Sequence, residues 1–149
     1  LYYSSPKTKL MDIKKLLIGG IVGGILYFLL GWLIYGMLLM DFMMGHPGTA
    51  TNVDRAEMDY LYLIIGNLAM GFLLAYVFVK SNVSSMAGGL VTGGIIGALV
   101  SVGVDCVMYA TTNVVSKTAM AADVAAMTVM SAIVGAAVGM VMGMGKKAA

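Results

Sequence analysis

Residues 16–40 read LLIGGIVGGILYFLLGWLIYGMLLM, without a single charge. A hydrocarbon core about 30 Å thick needs roughly 20 apolar residues in a helix to cross it. The run does not alternate polar with apolar residues as a barrel strand would. Unsatisfied backbone in lipid is costly, so a run of this length is read as a helix. Three more charge-free runs follow: Tyr60 to Val79, Ser81 to Val104 with apolar character continuing past Asp105 to Tyr109, and Val124 to Gly145. The sequence therefore predicts an all-α integral membrane four-helix bundle, antiparallel with short loops. Its spans fall near 16–40, 60–79, 86–109 and 124–145, one transmembrane domain over 16–145 between an N-terminal segment, 1–15, and a tail, 146–149.

Composition agrees with that reading. Of 149 residues, 60% are apolar and 11% charged, whereas a soluble domain carries about a quarter charged residues. The length suits one domain. A net charge of +2 is too small to suggest nucleic-acid binding. The single cysteine, Cys106, rules out an intramolecular disulfide, and its apolar run suggests a buried small residue rather than a reactive thiol. Met11 followed by Asp12, Lys14 and Lys15 has the look of a translation start, which would make residues 1–10 an extension or remnant. Those residues have no apolar centre and are not a signal peptide.

Lysine and arginine placement sets the expected orientation. Lys7, Lys9, Lys14, Lys15, Lys80, Lys146 and Lys147 fall on one side, and only Arg55 and Lys117 on the other. Both termini are thus expected in the cytoplasm, in a bacterial inner membrane. The first outer loop, 41–59, is acidic and contains His46-Pro47-Gly48, a helix-breaking turn signal. The second runs over 110–123, and Asp123 is placed to cap the fourth helix. Trp32, Tyr35, Tyr60, Tyr62 and Tyr109 gather at the outer end and Tyr76 at the inner end, an interfacial aromatic belt. Residues 19–25, GGIVGGI, resemble 88–95, GGLVTGGI, and suggest two parallel hairpin repeats.

Small residues form the clearest pattern. Gly89, Gly93, Gly97 and Ser101 recur every four positions, as do Ser131, Gly135, Gly139 and Gly143, with a shorter pair at Gly20 and Gly24. Such grooves let helices approach closely. Packing within the bundle is the simpler expectation, and docking of a second subunit the other.

Asp105 interrupts an apolar run and continues the line Gly97, Ser101, Asp105. It should lie about 12 Å inside the third helix, and Asn67 about 10 Å inside the second. Tyr35, Thr128 and Tyr109 fall near the same depth. These five make a candidate polar layer. An intramembrane carboxylate is a functional-site hypothesis by default, with polar glue between helices as the structural reading.

Met37, Met40, Met43, Met44 and His46 supply soft Cu(I)-type donors, but their spacing is loose and methionine is abundant throughout (15 residues), so no metal or other cofactor is assigned. The acidic trio Asp54, Glu57 and Asp59 reads as a solvated surface. One histidine, one arginine and no nucleophile-elbow serine argue against an enzyme.

The motif Gly31-Trp32-Leu33-Ile34-Tyr35-Gly36-Met37-Leu38 resembles the first-helix signature of a small bacterial four-helix membrane family of unknown function. The glycine-rich third span running into Thr111-Thr112-Asn113 resembles that family too. Here Trp32 and Tyr35 are separated where the family has adjacent aromatics, and the outer loop is longer and more acidic. The resemblance implies four helices and an inner-membrane location, and no activity. Taken together, the sequence favours a structural or accessory subunit in contact with the lipid bilayer, packing through its glycine faces as a homo-oligomer or within a larger membrane complex. A small oligomeric channel or transporter using Asp105 and Asn67 is the competing expectation.

Overall fold

The computed structural model describes residues 12–144. The expectations for residues 1–10 and for the tail 146–149 fall outside these. Among the described residues four helices are long and apolar enough to cross a membrane, and they form an all-α bundle.

Helix α1, Ile13–Leu33, starts at Asp12, whose carboxylate accepts the amide of Lys15 at 3.1 Å. It runs into a π turn, Ile34–Leu38, where the Leu39 amide reaches back five residues to the Ile34 carbonyl at 2.7 Å. Helix α2, Met40–Gly45, is a short extension that stops at His46, ahead of Pro47. The first span therefore does not continue as regular α-helix to Met40. The π turn follows Gly31 and contains Gly36, neither of which adds a side chain to brace the regular ladder.

Helix α3, Tyr60–Ser81, is capped by Asp59 and ends at Asn82, which takes the left-handed conformation (φ 55°) that closes many helices. Helix α4, Met86–Thr111, is capped by Ser85, and α5, Lys117–Gly143, by Ser116. The last helix begins well before the expected Val124. Ser116 accepts the amide of Ala119 at 3.1 Å, and the alanine-rich stretch that follows is a strong helix former. Asp123 is consequently an internal residue of α5 and not its cap.

The helices lie side by side in the order α3, α1, α5, α4, with α3 only grazing α4 and α5. Each hairpin is closed by glycine. In the first, Gly20 lies under the Phe72 ring, a Cβ on Gly23 would come 3.0 Å from Gly71 Cα, and one on Gly24 2.8 Å from Leu68 Cα. In the second, a Cβ on Gly93 would come 2.9 Å from Gly135 Cα, and one on Gly139 3.0 Å from Gly89 Cα. Gly89 meets the Gly135 backbone, Gly97 meets Ser131, and Gly143 meets the Ser84 carbonyl. The small-residue faces of α4 and α5 are thus pressed together within one chain. The two glycine motifs of the apparent repeat occupy equivalent places, each on the first long helix of a hairpin.

Between hairpins, α1 meets α5. Tyr27 donates to Ser131 Oγ at 2.8 Å with both residues buried, a bond of the kind worth about 0.6 kcal/mol in a membrane bundle. Around it pack Leu74, Phe78, Val134 and Val138, none with exposed surface. Gly19 meets Met142, and Gly143 meets Ser84. Both ends of the described chain and the 82–85 turn therefore share one face, called here the terminal face. Loops 46–59 and 112–116 share the opposite, loop face.

Burial is concentrated towards the terminal face, while every residue from Thr51 to Gly66 is exposed. The loops are clasped: Gly48 and Ala50 donate to the carbonyls of Val114 and Asn113, and Ser116 Oγ donates to the His46 carbonyl at 2.6 Å. Trp32, Tyr60, Tyr62, Tyr76 and Tyr109 are exposed, as a belt requires, whereas Tyr35 is half-buried. Cys106 corrects the expectation of burial: it is exposed, beside but outside the buried stripe that ends at Asp105.

Candidate functional site

The polar site is built from α1, α4 and α5. On α4 the stripe that packs against α5 runs Gly89, Gly93, Gly97, Ser101, Asp105, all buried. The same interval of four that presses glycines into α5 carries a carboxylate into that interface one turn beyond Ser101. Ser101 satisfies its hydroxyl on the Gly97 carbonyl at 2.9 Å. Asp105 has no such recourse: it is 9% exposed, and its Oδ2 is buried without a hydrogen-bond partner. Asp123 of α5 faces it, the ionisable neighbour nearest in effect to both Asp105 and Tyr35.

Tyr35 enters from the π turn of α1. Inserted π turns re-aim a side chain relative to a regular helix and recur at functional sites. Its hydroxyl is likewise buried and makes no close hydrogen bond, though Asp123 lies near enough to interact with it. Two carboxylates and a phenol thus converge, and among the described residues neither aspartate forms an ion pair; the ion pairs there are Lys15–Asp12 and Arg55–Asp59. An unpaired buried charge is costly, so the arrangement is suited to accept a positive charge.

On the loop face lies an open cavity of about 670 Å³. Asp123 lines it together with His46, Asp54, Met43, Met44 and Ala119, among others. Asp123 thereby belongs both to the buried cluster and to a route from the loop face.

The other expected members of the polar layer are elsewhere. Asn67 donates its amide to the Leu63 carbonyl of its own helix at 2.7 Å, and no hydrogen bond links it to Asp105 among the described residues. Thr128 donates to the Val124 carbonyl at 2.6 Å. The Tyr109 ring lies beneath the Lys117 ammonium, 5.8 Å from the centroid. Tyr35 and Asp105 are brought together; Asn67, Thr128 and Tyr109 do not join them. Asp123 is the member that sequence reasoning placed in another role. The signal that would have found it is Ser116, a capping residue ahead of an alanine-rich run, which puts Asp123 inside the helix.

The soft-donor group fares similarly. Met43, Met44 and His46 line the cavity, and Met40 does not. The His46 ring stacks on Phe42 with centroids 4.4 Å apart and places Nδ1 2.9 Å from the Phe42 carbonyl. Among the described residues no three His, Cys, Asp or Glu side chains are grouped to hold a metal ion. In the acidic loop, Asp59 caps α3 and pairs with Arg55 at 3.6 Å, while Asp54 lines the cavity.

The chain matches no protein-family model, no curated protein and no solved structure.

Proposed function

We propose that this small multi-pass membrane protein binds and moves a small cation, as a channel or transporter unit whose site is Asp105, Asp123 and Tyr35. The observation that carries the reading is the buried, unpartnered Oδ2 of Asp105 facing a second carboxylate. Ionisable groups inside a bundle mark ion pathways and proton relays because burial there is otherwise selected against. The test is cation flux in liposomes reconstituted with the purified chain. Wild type should carry flux and Asp105→Asn should abolish it while retaining its helicity. Flux untouched by Asp105→Asn, or none in wild type, would sink the reading.

The second reading is an accessory subunit, as a homo-oligomer or in a larger complex. What supports it is the exposed half-helix from Tyr60 to Gly66, which no other described residue covers. A partner would meet that surface and not the glycine faces, which are occupied within the chain. Native mass spectrometry of the particle from its own membrane separates the cases: a stoichiometric foreign chain favours the subunit. The lysine distribution supports a bacterial inner membrane with both termini cytoplasmic.

A further inference from the structure

We infer that Asp105, Asp123 and Tyr35 form a single-occupancy site for a monovalent cation, reached only from the loop face through the cavity that Asp123 lines. This rests on the cation-handling reading and adds the charge of the ligand, its number and its side of access.

The charge follows from what is buried. Asp123 borders an open cavity, so water can solvate its carboxylate. Asp105 is the more buried of the two, 9% exposed, and its Oδ2 is shut off from solvent with no donor. The groups facing it are Asp123 from α5 and Tyr35 from α1. The Lys117 ammonium is placed over the Tyr109 ring, and His46 and Asp54 lie farther out along the cavity. Ionised, Asp105 needs one unit of positive charge beside it, and a bound proton supplies the same unit.

The donor set points the same way. Calcium takes six to eight oxygens, and magnesium an octahedron that retains several waters. Two carboxylates and a hydroxyl fall short of calcium's set, and magnesium would have to keep its waters at the buried end of the site, where Asp105 is 9% exposed. The three groups suffice for H⁺ shared between carboxyls, or for one alkali cation.

The side of access follows from packing. Below Asp105, Ser101 and Ser131 are buried and Gly97 is in contact with Ser131. Farther on, Leu74, Phe78, Val134 and Val138 are sealed. This conformation is closed to the terminal face, as in a carrier rather than an open pore.

Two measurements on the full chain test the site. Dicyclohexylcarbodiimide adds to protonated carboxyls in apolar surroundings and leaves an N-acylurea that mass spectrometry locates. Asp105 should be modified in wild type. If Na⁺ is the ligand, NaCl at about ten times its dissociation constant slows the reaction about tenfold, and choline chloride at equal ionic strength does not. If H⁺ is the ligand, the reaction proceeds equally in both salts. No modification of Asp105 together with no Na⁺-dependent shift in melting temperature overturns the site. Access is read in a Cys106→Ala background. A membrane-impermeant thiol reagent should label Ala119→Cys from the face that labels Thr49→Cys. Labelling from the opposite face, or from neither, overturns the route. Binding without liposome flux would sink the transport reading and leave this site standing; flux in a chain whose Asp105 neither reacts nor responds to Na⁺ would do the reverse.

Discussion

Gly93 and Gly103 share helix α4 and have opposite surroundings. A Cβ at 93 would come 2.9 Å from Gly135 Cα, against backbone that cannot turn aside, whereas one at 103 meets nothing within 4 Å. Gly93→Ala should destabilise the bundle by about 1–3 kcal/mol through overpacking. Gly103→Ala should be neutral, or stabilising by up to about 1 kcal/mol from helix propensity. Reversible unfolding in mixed micelles, followed by circular dichroism, measures both. Equal effects at the two sites would mean that the α4–α5 contact is looser than described. Asp105 shows how far such residue-level reading reaches. Its depth was legible, because rise per residue is fixed. Its partner was not, because which side chain faces it depends on the order of helices around the bundle, and the sequence does not state that order. Asn67 has the right depth on α3, a helix that barely meets α4.

At the scale of elements, Ser116 has two tasks. It accepts the Ala119 amide as the cap of α5 and donates to the His46 carbonyl of the first loop. Ser116→Ala should therefore cost about 1–2 kcal/mol through the lost cap, and should also release the clasp over the loop face. Limited trypsinolysis after Arg55 reads the second effect. Cleavage should be faster in the variant, and an unchanged rate would show that the Gly48 and Ala50 backbone bonds hold the loop without Ser116. The four spans were legible because twenty apolar residues in a row admit one structure in lipid. The π turn at Ile34–Leu38 was not: it leaves no change in composition, only one glycine before it and one within it, in a chain that has twenty. The early start of α5 was missed for a different reason. Lys117 and Asp123 put charge into its first turns, and a window set to find apolar runs begins after them.

At the scale of the whole molecule, the two hairpins are each closed by glycine contacts and joined by a narrower seam along α1 and α5, with Tyr27 and Ser131 at its centre. That division has a consequence for how the protein is made. Gly20, Gly23 and Gly24 find Leu68, Gly71 and Phe72 as soon as the second span leaves the insertion machinery, before the rest of the chain exists. The first hairpin can settle in the bilayer as a finished piece and wait. The seam needs α5, so docking of two preassembled halves is the expected last step of biogenesis. A gene split within the 82–85 turn should then yield two co-expressed fragments that copurify, and placing Gly93→Leu in the second should abolish the pairing without removing the first from the membrane. Fragments that never associate would mean that the turn, and not the seam, holds the halves in register.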